Sequence, residues 1–132
     1  MRTYDPRDVQ VIVDGNFLTG FAEGTFVQTE KQEDNYIPHV GGQGEVDRAR
    51  NVHPLGTITV TLKNTSPSNG LLSNLAKSKE TFAARMVDRN APETIVGGSE
   101  CWIVKQPDME RGNEITGQEW QIMVADYEVE IQ

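Results

Sequence analysis

The reactive inventory of this chain is two histidines, one cysteine and a surplus of carboxylates. His39 lies in a Gly- and Pro-flanked stretch and His53 directly precedes Pro54. Neither has a companion His, Cys or carboxylate at a recognised metal-ligand spacing. Cys101 stands between Glu100 and Trp102 in a strand-like run with no neighbouring cation to lower its pKa, so it reads as a small hydrophobe rather than a nucleophile. Gly41-Gly42-Gln43-Gly44 invites comparison with a phosphate cradle, but it lacks the following Lys-Ser/Thr and does not join a strand to a helix. Asp14 and Asn16 resemble the opening of a calcium loop whose later ligands and closing glutamate are missing. The pairs Glu33-Asp34 and Glu128-Glu130 have the spacing for acid-base work, yet among 20 Asp plus Glu such pairs are ordinarily a solvated face. The expectation is a protein without catalytic residues, metal or cofactor, and not an enzyme.

Bulk properties narrow the alternatives. A chain of 132 residues suits a single domain spanning residues 1–132, and a domain of that size buries roughly two-thirds of the surface its unfolded chain exposes. One cysteine permits no internal disulfide, which fits a reducing compartment. No basic-then-apolar leader and no apolar run near the length of a membrane span is present, so neither export by a signal peptide nor membrane insertion is expected. The net charge of −8 argues against tight binding to phosphate backbones, which relies on clustered Lys and Arg. It is compatible with a solubilising surface, and with a protein that nucleic acid passes without sticking.

The elements read mainly as strands. Val9, Val11 and Val13 alternate with Gln10, Ile12 and Asp14, and Asp14-Gly15 is a favoured hairpin turn with Phe17 and Leu18 on the return. Gly20 to Gly24 breaks the run, with Phe21 tucked toward the core, and Gly24 to Lys31 resumes strand character. Gln32 to Gly44 is polar, contains Pro38 and three glycines, and reads as a long irregular loop with Asn35, Tyr36, Ile37 and Val40 as its contact-making residues. Glu45 to Asn51 is either a short edge strand or part of the same excursion.

The clearest stretch is Leu55 to Ser78. Ile58, Val60 and Leu62 alternate with Thr57, Thr59 and Thr61, so the first set faces a core and the threonines face solvent, a neighbouring subunit or a lumen. A short helix follows, with Ser66 as N-cap, Pro67 at N1 and Leu71, Leu72 and Leu75 on one face. Phe82, Ala84 and Met86 define a further strand; Gly97-Gly98 marks a bulge or close backbone approach before Glu100 to Lys105, and Gln106 to Gly117 is a polar loop. From Gln118 to Ile131 the apolar phase switches from Trp120, Ile122 and Val124 to Tyr127, Val129 and Ile131, which predicts a bulge or bend near Ala125 and Asp126. The fold class is mainly β with one helix, an antiparallel barrel or sandwich of about seven strands flanked by that helix.

The order and spacing of YDPRDVQVIVDGNFLTGFAEGTFVQTEKQEDN, VGGQGEV and NVHPLGTITVTLKNTSPSNGLLSNLAK, from Tyr4 to Lys77, resemble the tail tube proteins of contractile-tailed phages. The resemblance implies a subunit without an active site that closes with copies of itself into rings, usually six-fold, stacked as a hollow virion tube assembled in the host cytoplasm. It implies sheath, baseplate and tail terminator proteins as partners, and DNA in transit without specific binding. Residues 1–6 would be an N-terminal arm, residues 32–44 an inter-subunit loop, and Thr57, Thr59 and Thr61 a lumen or interface face. Geometry agrees, because a wide aqueous channel needs some sixteen or more strands and one such chain cannot supply them. Two other classes stay open: the tube subunit of a genome-free bacteriocin or secretion-type particle, and a small ligand-binding β-sandwich.

Overall fold

In the computed structural model, which describes residues 2–132, a short 3-10 turn over Pro6–Asp8 leads into ten strands and one helix. These are β1 (Val9–Val13), β2 (Asn16–Phe17), β3 (Val27–Lys31), β4 (Tyr36–Val40), β5 (Val46–Arg50), β6 (Gly56–Lys63), α1 (Ser68–Ser78), β7 (Phe82–Asp88), β8 (Thr94–Ile103), β9 (Gly117–Val124) and β10 (Glu128–Ile131). Met1 of the expected arm lies outside the described residues; the rest of the arm is fastened at Asp5, whose backbone N–H donates to Asn90 Oδ1 at 2.9 Å.

Eight strands form one antiparallel sheet in the order β2-β1-β7-β8-β9-β6-β3, with β10 beside β8. Apolar residues on one side of nearly every strand drive this sheet to curl around a single dry interior. Val11 and Val13, Ile58 and Val60, and Trp120, Ile122 and Val124 all meet there, fully buried. The sheet curls without closing by strand pairing. Its open side is crossed by the segment from β2 to β3: Leu18 N–H donates to Val11 C=O at 2.9 Å on one flank, and Lys63 N–H to Gly20 C=O at 2.8 Å on the other.

The helix begins a residue later than its sequence suggests, at Ser68, while Ser66 Oγ still accepts from Ser68 N–H at 3.2 Å. Thr19 N–H donates to Ser68 Oγ at 3.0 Å and Ser66 Oγ–H donates to Thr19 C=O, so the helix start is clasped to the crossing segment. Leu72 is buried in the core, with Leu71 and Leu75 packed against its edge.

Two expectations need correction. Strands number ten, not seven, and the supposed irregular loop over 32–44 is the first arm of a hairpin, β4 paired with β5 from Tyr36↔Arg50 to Val40↔Val46. Pro38 signalled a loop because proline cannot donate to a ladder, but in a two-stranded ribbon each strand has a free edge where no N–H is needed. The bend expected at 125–126 is present between β9 and β10.

At the neighbouring bulge, Gly97 has φ +150° and a Cβ there would lie 2.1 Å from Ala84 O; at Gly98 a Cβ would lie 2.2 Å from Asp126 Oδ1. The absent side chains let Asp126 reach over β8. Its carboxylate accepts from Ser99 N–H at 3.0 Å, Ser99 Oγ–H at 2.8 Å and Glu100 N–H at 3.1 Å. The Ser99 N–H bond foremost, against a small desolvation cost and with the Glu100 and Ser99 hydroxyl bonds, lowers the Asp126 pKa from 3.8 to about 2. Because the folded value lies below the unfolded one, this contribution is present above pH 4 and is lost as pH falls through 2. Asp126→Asn is therefore expected to be less stable at pH 7 and to lose less stability than wild type between pH 4 and 2, read from urea midpoints. Parallel curves for the two proteins would refute the carboxylate's role.

Candidate functional site

The alternation of β6 sets the two faces of the sheet apart. Ile58, Val60 and Leu62 are fully buried, whereas Thr57, Thr59 and Thr61 are half-buried on the opposite face. Register decides what stands beside the threonines. Thr59 lies opposite Gln28 on β3 and Gln121 on β9, Thr57 opposite Glu30 and Met123, and Thr61 opposite Glu119. Beyond β9, Trp102 pairs with Met123 and is 40% exposed. The strands β3, β6, β9 and the end of β8 thus present a continuous face of threonine, glutamine and glutamate. Glu30 and Glu119 are its charged members, and no Lys or Arg stands at these paired positions.

Sequence parity alone identified the threonines. It missed Gln28, Glu30, Glu119 and Gln121, since their membership depends on which strands pair and in what register. The period-two pattern of Trp120 and Ile122 was the available signal, because it puts Glu119 and Gln121 on the wet side of β9.

The second predicted set lies elsewhere. β3 and β6 end at the Lys31↔Gly56 pair, and the chain between them is the hairpin. All ten residues of β4 and β5 are exposed, including Ile37 (47%), Val40 (71%) and Val46 (66%). Asn35 closes its base by accepting from Asn51 N–H at 2.8 Å, and the Arg48 guanidinium lies 4.0 Å from the centre of the Tyr36 ring. Gly41 N–H donates to Glu45 C=O at 2.7 Å across the tip, so the glycines that suggested a phosphate cradle instead turn a hairpin. The threonine face and the hairpin are therefore two separate surfaces.

The other candidates are scattered. His39 is exposed on β4, His53 is exposed between β5 and β6, and the Cys101 thiol is buried, its pKa pushed up by that burial. Glu33 Oε2 accepts from Asn51 Nδ2 at 2.8 Å at the hairpin base, and Glu128 and Glu130 are exposed on β10. Among the described residues no group of three or more His, Cys, Asp or Glu is arranged to hold a metal ion, and no helix is long and apolar enough to cross a membrane.

No family model matches the chain. It is 25% identical over 135 residues to structural protein ORF10 of Pseudomonas phage KPP10, covering 93% of this chain and 78% of that protein. Among solved structures it is similar to the sheath/tube terminator of the PVC extracellular contractile injection system, with a TM-score of 0.71 at 14% identity, over 98% of both chains. It is equally similar to a chain of the sheath-tube complex of that system, with a TM-score of 0.68 at 14% identity over 98% of this chain and 93% of the other. The fold is the tail-tube type, as the resemblance read from the sequence implies.

The two faces of the sheet make opposite demands on substitution. Leu72→Ala is expected to lower unfolding stability by about 2–5 kcal/mol, the cost of emptying a packed core position. Thr59→Val, on the polar face, is expected to stay within about 0.5 kcal/mol of wild type. Equal losses in denaturant titrations would show that the threonine face is not a surface.

Proposed function

We propose that this chain is a structural subunit of a phage tail, located in the virion, which closes with its own copies into rings that stack as the inner tube of a contractile tail. The observation that carries this reading is the polar face of β3, β6 and β9. Its threonines, glutamines and acids cover a fully apolar core but enclose nothing within one chain. Joined edge to edge, several copies of this face would line a channel wide enough for duplex DNA. Glu30 and Glu119 would then face the lumen and repel phosphates, so that DNA slides through without being held. Sheath, baseplate and terminator proteins are the corresponding partners, and the role is structural rather than catalytic.

A second reading is favoured by the likeness to a sheath/tube terminator: a subunit that caps the tube as a single ring. Electron microscopy of the purified protein separates the two. Stacked filaments of uniform width are expected for a tube subunit, isolated rings for a terminator, and a uniformly monomeric sample at high concentration would defeat both. A tube subunit of a genome-free particle has the same shape, and its lumen charge is the distinguishing property. For a DNA conduit, Glu30→Lys with Glu119→Lys should leave assembly intact while making the particles retain duplex DNA at low salt. That retention should fall steeply with added salt. Assembled variant particles that ignore DNA would remove these two acids from the lumen.

A further inference from the structure

The exposed hairpin has a counterpart on the same chain that it cannot reach. Between the Pro6–Asp8 turn, the β1–β2 hairpin and the crossing segment lies an apolar groove of about 470 Å³, lined by Val9, Gln10, Phe17, Leu18, Phe21 and Phe26. Phe17 is 57% exposed there, a large apolar surface left in water. Gln10 Oε1 is buried without a hydrogen-bond partner, so an occupant that brings an N–H or O–H donor removes a desolvation cost already present. The groove therefore selects an apolar occupant that also carries a donor.

The hairpin tip has that composition. Val40 and Val46 form its last pair, exposed and covered by nothing in their own chain, and Gln43 supplies an amide donor beside them. A lone two-stranded hairpin is marginal in water, so its apolar residues need a partner surface. Charge agrees as well. The tip carries Glu45 and Asp47, and Arg7 is the charged residue lining the groove, its side chain 89% exposed although paired with Asp5 at 2.9 Å.

Position excludes self-occupancy. The hairpin leaves the β3–β6 ladder at its Lys31↔Gly56 end, whereas Phe21, bridged to Leu62, and Phe26, beside Val27, border the groove at the other end. We propose that the hairpin tip of one copy, with Val40 and Val46 foremost, seats in the Phe17-lined groove of a second copy. The contact is heterologous, head to tail, and so repeats from copy to copy until it closes in a ring or continues as a stack. This assignment rests on the self-assembly proposed above and adds the receptor surface to it.

The test uses thiol crosslinking of the full chain, in which buried Cys101 is shielded. Val40→Cys combined with Phe17→Cys, treated with a short bis-maleimide, is expected to give a ladder of covalent oligomers beyond the dimer on a denaturing gel. Either single variant should stop at dimer. Val40→Cys with Lys77→Cys, at the far end of α1, should also give no ladder. Val46→Cys with Thr19→Cys repeats the test at exposed positions, so misfolding of one variant does not decide the outcome. Particles visible by electron microscopy without a ladder beyond the control would overturn the groove assignment and leave the tube reading standing. Folded protein by circular dichroism, with neither particles nor ladder, would overturn both.

Discussion

A buried indole that must keep its N–H bonded organises the rest of the molecule. Trp120 is fully buried on β9, and its Nε1–H donates to Asn69 Oδ1 at 2.9 Å. An indole N–H left unsatisfied in such a place costs about 1–3 kcal/mol, so the first turn of α1 must stand over β9. Asn69 is held in turn, because its Nδ2 donates to Lys63 C=O at 2.8 Å and to Ser66 C=O at 3.1 Å. The end of β6, the start of α1 and the middle of β9 are thereby one hydrogen-bonded unit. Ser66 and Ser68 extend that unit to Thr19 and so to the segment that spans the open side of the sheet.

That network commits one face of β6 and β9 to the interior and leaves the other face free. The free face is neither apolar enough to be a buried interface nor cationic enough to hold nucleic acid, a composition suited to a wet wall. The apolar surface that remains is concentrated away from it, on the β4–β5 hairpin, at Phe17 and on Val129 and Ile131 of β10. The outer edges of β3 and β10 also lack a strand neighbour within the chain. A soluble monomer usually blunts such edges and avoids such patches. Their joint presence is what self-assembly requires, and it agrees with the tail-tube type of fold.

Much of this was legible in residue order. The valines of β1, the Asp14-Gly15 turn, the apolar alternation of β6 and the leucines of α1 each carry a local signal strong enough to survive without context. Gly97-Gly98 and the phase switch after Val124 likewise announced the bulge and the bend, because only glycine admits the backbone approach seen there. The hairpin was less legible. Pro38, the tip glycines and the charges of Glu45 to Arg50 are all turn and loop signals, and a ribbon exposed on both faces has no need of the alternation that marks a half-buried strand. Val129 and Ile131 showed the converse, a clear strand pattern whose apolar side remains exposed.

By itself the sequence determined which side chains of each strand go inward, where the chain turns and that reactive groups are too dispersed for a recognised site. These are short-range properties, governed by side-chain period and by the conformational limits of glycine and proline. Only the tertiary structure decided which strands are neighbours, that Glu30 and Glu119 join the threonines on one face, and that hairpin and groove lie at opposite ends of one ladder. The reason is physical: strand register and order arise from contacts between residues far apart in the chain, and no local periodicity encodes them.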